Sequence, residues 1–346
     1  MGQTFILQCD NDKKVINRER INWVDSSRGI AFLMIIYSHI EFSNEIVVRY
    51  ILPVFLTTFF FISGYLFKEK CSFNKVIEQR TRTLLIPFLL LGLIMIVLSQ
   101  ILTFNEKISF FDGLKGLLLQ NGENQILWFI SALYIYSLFF YWIDRISSTP
   151  RRLITISFLL LFINRVAVWC GLPHLSWHID TIGFGCFYMG LGKYYKEKQQ
   201  IIDKYIDNLK FVLLMCFIYF FLISIFDLHI SFADGIYIMD GLSVTIPGLI
   251  IMLYISKHII YNNRFILFVG ANTLFYFAFH GKCYSLLQTI CHKIISDEML
   301  SIYGSKDLLA LCIVFLDALI LIFPAMFVNN YCPFLLGKGF KLWKTK

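Results

Sequence analysis

Apolar runs of about the length of a membrane-spanning helix recur along this chain, separated by short polar stretches. They lie at residues 29–45, 50–67, 84–103, 125–143, 153–170, 179–195, 210–226, 239–256, 265–291 and 308–328. A helix crossing the hydrocarbon core needs about 20 mostly apolar residues. The pattern therefore predicts an all-α, polytopic membrane protein with about ten transmembrane helices, which puts both termini on the same side. Lysine and arginine test the count, because they gather on the cytoplasmic side of a membrane. With ten spans and cytoplasmic ends, most of the 31 cations fall inside, and only Arg49, Lys107, Lys115, Lys293 and Lys306 fall in outer loops. A miscounted helix inverts every later loop and destroys that asymmetry. We read residues 1–24 as a cytoplasmic N-terminal segment, 25–330 as one transmembrane domain and 331–346 as a basic cytoplasmic tail.

Composition supports the membrane reading. Hydrophobic residues make up 58% of the chain, charged residues 16%, and the mean hydropathy is +0.67. The net charge of +8 is the inside-positive bias, to which anionic membrane lipid is a partner, and calls for no nucleic acid. The first 22 residues lack an apolar core and a cleavage site, so no removable signal peptide is expected. The nine cysteines are odd in number and lack CxxC or Cys/His ligand spacing, so neither a disulfide framework nor a metal site is expected. The place expected for such a chain is the inner or plasma membrane of the cell, as a multi-pass protein.

The stretch DSSRGIAFLMIIYSHIEF, residues 25–42, puts a histidine and a glutamate inside an apolar run. Asp25, Arg28, Phe32, Ile35 and His39 keep the 3-and-4 spacing of one helix face. At 1.5 Å per residue, His39 stands about 16 Å beyond Arg28. If the helix enters the bilayer near Arg28, that is roughly mid-depth in a core about 30 Å thick. A hydrogen-bonding histidine in a helix bundle is the plain alternative. Against it, ionisable groups at depth are expensive and mark functional pathways, and imidazole titrates near neutrality, which suits a general base or nucleophile. A second stripe, Asn272, Tyr276 and His280, is spaced by four. Two guanidiniums, Arg80 and Arg82, are suited to phosphate recognition, or serve as inside-positive anchors.

Together with VFLTTFFFISGYLF (54–67), EQRTRTLLIPF (78–88), LWFISALYIY (127–136), GFGCFYMGLGKYYK (183–196) and GANTLFYFAFH (270–280), the segment WVDSSRGIAFLMIIYSH resembles the acyltransferase 3 family of membrane acyltransferases, nearest the sugar O-acetylase branch that includes fucose 4-O-acetylase. The resemblance implies transfer of acetyl from cytoplasmic acetyl-CoA to a hydroxyl of a surface glycan or a lipid-linked sugar precursor. Arg28 and His39 stand where the family's first-helix motif has them. Of the family's RxxR pair, Arg80 matches the first position, whereas the second is Thr83 and the further arginine is Arg82. The catalytic set is then His39 with Arg28 and Asp25, and CoA falls to Arg80, Arg82 and Arg28. Glu41, Trp128, Arg165, Asp180, Tyr276, His280 and Lys282 are placed on the acceptor side or around it. For Trp128 an interfacial belt residue is the safer reading, and the alternative for Arg165 with Asp180 is a structural ion pair. No G-x-S-x-G or HExxH motif is present. The rival class is a transporter or glycolipid flippase with His39 and His280 as a proton relay; no pair of interrupted helices in corresponding halves supports it.

Overall fold

The computed structural model describes residues 21–67, 72–102, 109–120, 127–171, 173, 175–225, 238–295 and 304–339, and every regular element among them is helical. In chain order these are α1 (Asn22–His39), α2 (Glu45–Tyr65), α3 (Phe73–Arg80), α4 (Ile86–Leu102), α5 (Phe110–Leu119), α6 (Trp128–Ile146), α7 (Pro150–Trp169), α8 (Ile182–Ile206), α9 (Leu209–Ile225), α10 (Ile238–Tyr254), α11 (Arg264–Ala271), α12 (Thr273–Ile294), α13 (Ser305–Ile320) and α14 (Ile322–Tyr331). Most of the N-terminal segment, the end of the C-terminal tail, and the cations Lys68, Lys70 and Lys107 lie outside the described residues.

Among the described residues, four helices are long and apolar enough to cross a membrane: Glu45–Tyr65, Phe73–Ile101, Leu242–Ile259 and Ser305–Tyr331. A fifth appears if Ser176–Ile206 and Leu209–Ile225, bent by 93°, count as one span. Helices α1, α6, α7 and α12 have 18, 19, 20 and 22 residues, enough to span by length. Their apolar runs are interrupted by ionisable, hydroxyl and indole side chains, and these are the helices that carry most of the candidate site residues.

Several boundaries differ from the hydropathy pattern, each for a local reason. The single segment expected over 265–291 is two helices, parted at Asn272, whose φ of −116° and ψ of 17° leave the helical region. The Asn272 amide donates to Phe268 O at 2.8 Å, which satisfies a carbonyl at the break. The loop expected over 104–124 contains α5, which is anchored by buried Leu117 against Gly92 of α4. Between α3 and α4, Thr81–Leu85 winds as one π turn. Such turns are rare and occur disproportionately at functional sites.

The described residues form two compact units, one drawn from 21–62 and 198–326 and the other from 63–197 and 327–339. In the first, α1 packs against α11, α12 and α13, and α9 against α10. The α1–α11 contact is a backbone approach. A Cβ at Gly29 would lie 2.3 Å from Ile266 O, and one at Gly270 would lie 1.8 Å from Asp25 O. Small residues allow such closeness where helices associate in lipid. In the second unit, the π turn packs against α6, and α4 against the 3₁₀ turn Pro333–Leu336.

Candidate functional site

His39 is the last residue of α1, and the chain turns extended at Ile40 with φ −82° and ψ 129°. The sequence stripe places it midway along a span. The helix instead starts at Asn22, before Arg28, and stops at His39, so the imidazole crowns the helix end and is exposed. A basic residue suits that position, where unpaired carbonyls concentrate negative charge.

The ring is aimed by its own helix. His39 Nδ1 lies 2.8 Å from Ile35 O and 3.3 Å from Ser38 Oγ. A carbonyl only accepts, so Nδ1 carries the proton and Nε2 keeps its lone pair in the neutral ring. His280 repeats the arrangement on α12, with Nδ1 2.9 Å from Tyr276 O. The two imidazoles meet edge to face at 5.8 Å between centroids. Phe32, one of the stripe residues of α1, packs against His280 at 5.3 Å and Tyr276 at 5.6 Å. Tyr284 closes the group, 6.3 Å from His39 and 5.9 Å from His280. The structure thus brings His39 and His280 into contact, sets Tyr276 against Phe32 beside them, and adds Tyr284. Tyr284 is one further step of four along the α12 stripe, so the signal for it was present in the sequence.

At the other end of α1, Asp25 is fully buried and Arg28 Nη1 stands 3.9 Å from its Oδ1. Around them, Trp23 lies under the Lys257 ammonium at 5.7 Å, and Lys257 pairs with Asp203 at 2.6 Å. Beyond His39, the exposed Glu41 is tied to His292 at 3.1 Å. His292 falls on the same four-residue stripe as His280 and Tyr284. Lys282, half-buried, lies off that stripe.

The remaining candidates belong to the other unit. Arg80 ends α3, with its guanidinium 5.9 Å from the Phe67 ring centre, and Arg82 lies within the π turn. Thr81 Oγ1 meets the Tyr134 hydroxyl at 3.2 Å, and a Cβ at Gly337 would lie 2.1 Å from Arg82 O. The turn is therefore clamped from two sides. Trp128 opens α6 after Leu127, which has a φ of +60°, and faces His178 at 4.7 Å. Trp177 and His178 both have left-handed φ, 63° and 54°. Non-glycine residues held there store strain, a feature that gathers at functional sites, and no pattern in the sequence marks it. Asp180 is buried and accepts the Leu175 N–H at 3.0 Å, while Arg165 sits on α7. A polar cavity of about 350 Å³ in this unit is lined by Asp144, Arg145, Ser147, Thr149, Lys193 and Glu197 among others. Its charges balance, so it does not single out a ligand of either sign. Among the described residues, no three metal-ligating side chains converge.

This helical membrane chain thus sets an imidazole at the end of α1 against a second one within α12. The family model for an acyltransferase domain, acyltransferase 3, matches residues 21–335, and the chain belongs to that family. It is a membrane acyltransferase by that membership. No curated protein and no solved structure matches it.

Proposed function

We propose that this chain is an O-acetyltransferase of a cell membrane, moving acetyl from cytoplasmic acetyl-CoA to a hydroxyl of a surface polysaccharide or its lipid-linked precursor. The observation that carries the reading is the His39 ring, held through Nδ1 by Ile35 O so that Nε2 is the nitrogen left to act as base. Nε2 takes the proton of the acceptor hydroxyl, and the oxygen attacks the thioester carbonyl. The C–O bond forms, the C–S bond breaks, and the departing thiolate recovers the proton from the imidazolium. Arg80 and Arg82 are candidates for the CoA phosphates, and so, taken by itself, is Arg28, because planar, multiply donating guanidinium groups suit that ligand. The rise of about 16 Å from Arg28 to His39 is of the order of an extended pantetheine arm. On the acceptor side we place His280 and Tyr276 beside the base, with Glu41 and Lys282 toward the outer face.

Ten spans with both ends cytoplasmic complete the proposal, with the polar helices α1, α6, α7 and α12 counted among the spans. The relay reading draws on the same 5.8 Å contact between His39 and His280, but a flippase leaves acetyl-CoA intact. The test is ester-bound acetate on surface polysaccharide, released by mild base from cells carrying the chain. Wild-type cells release acetate and His39→Ala cells do not; equal release from both refutes the role of His39.

A further inference from the structure

Asp317, on α13, is fully buried, and among the described residues no N–H or O–H donor meets either of its carboxylate oxygens. Helix α13 packs against both α1 and α12, the two helices that carry the imidazoles. The Cys283 thiol, a weak donor, lies against Asp317, and the hydroxyls of Tyr276 and Tyr284 are its electrostatic neighbours. A buried carboxyl with no donor stronger than a thiol is costly in an apolar bundle, and a hydroxyl brought to it relieves that cost. Tyr276 is already committed, since its hydroxyl donates to Ala318 O at 2.8 Å. Tyr284 is the hydroxyl that remains, and its ring lies against both imidazoles.

We propose that Asp317 is a positioning residue of the His39 site, acting through Tyr284. During the reaction the carboxyl accepts the Tyr284 hydroxyl, and the ring held in this way keeps the imidazole pair in register with the acceptor. The proposal rests on the acetyl-transfer reading for its catalytic consequence, but the coupling of Asp317 to His39 is testable without turnover.

Asp317→Leu removes the unpaired polar group at similar volume, so a purely structural carboxyl predicts an equally or more stable protein with unaltered chemistry. The positioning role predicts instead about a tenfold fall in kcat for thiol release from acetyl-CoA in native-membrane vesicles, with KM for acetyl-CoA unchanged. Asp317→Asn, which keeps an acceptor oxygen, restores most of the rate. Tyr284→Phe shows the same loss as Asp317→Leu, and the double variant is no slower than either. In parallel, carbethoxylation of His39 by diethylpyrocarbonate, followed by mass spectrometry of the peptide, changes by the same factor in Asp317→Leu and Tyr284→Phe. Losses that multiply in the double variant, or a His39 labelling rate in Asp317→Leu equal to wild type, overturn the proposal. If wild-type vesicles release no thiol, acetyl transfer is refuted, and the labelling rates still decide whether Asp317 reaches His39.

Discussion

An imidazole serves as a base only where one nitrogen keeps its lone pair, and in His39 the helix settles which one. Nδ1–H donates to the Ile35 carbonyl, which leaves Nε2 as the nitrogen with the lone pair. Replacing His39 by Gln keeps a polar side chain but no base, so turnover should fall by a factor of about 10² to 10⁴ with the protein still membrane-inserted; steady-state rates measured at matched protein levels check this. His39 and His280 were legible in the sequence because an ionisable residue in an apolar run stands out at once. Tyr284 was not singled out, although the spacing of four from His280 continues to it, because a tyrosine in a membrane helix has an ordinary explanation as a boundary residue. Asp317 carried the stronger signal, a lone acid within VFLDALI. No recognisable motif surrounds it, so the sequence by itself assigns it no role.

At the scale of elements, the family-like segments prove to be packing devices as much as chemical ones. Gly29 and Gly270 let α1 and α11 touch backbone to backbone, which sets the position of Asp25 and Arg28. Neither site has room for a Cβ without a main-chain shift. Gly270→Val should therefore destabilise the protein by about 1 to 3 kcal/mol or more, read as a lower melting temperature in detergent. The clamped π turn makes a related prediction for the other unit. A charged hydrogen bond contributes about 1.5 to 3 kcal/mol, so Arg80→Ala should raise KM for acetyl-CoA roughly tenfold to a hundredfold, with a smaller effect from Arg82→Ala. An unchanged KM in both assigns these arginines to anchoring alone. Hydropathy windows located most of the helices and missed their interruptions. The break at Asn272 and the π turn at Thr81–Leu85 are each set by one or two backbone conformations, which averaging over about 19 residues erases. The left-handed pair Trp177 and His178 is still less visible, since tryptophan gives no sign of that conformation and histidine only an enrichment too slight to mark a position.

For the molecule as a whole, charge distribution and helix composition pull apart. The lysine and arginine asymmetry argues for ten spans, while length and apolarity alone mark four or five. Polar helices reconcile them if the site's own side chains are what dilute α1, α6, α7 and α12. Reporter fusions should then place both chain ends in the cytoplasm and the Glu41–His292 end of the first unit on the opposite side of the membrane. A reporter at the C-terminus that is active only outside the cytoplasm makes the span count odd and reverses the later loops. The central claim, acetyl transfer by a base at His39, is tested most directly by thiol release. Purified wild-type protein in lipid nanodiscs, given acetyl-CoA and a lipid-linked sugar extract, should release free CoA together with acetylated sugar, and His39→Gln should release neither above background. Intact acetyl-CoA in the wild-type reaction, or equal release by His39→Gln, contradicts the account.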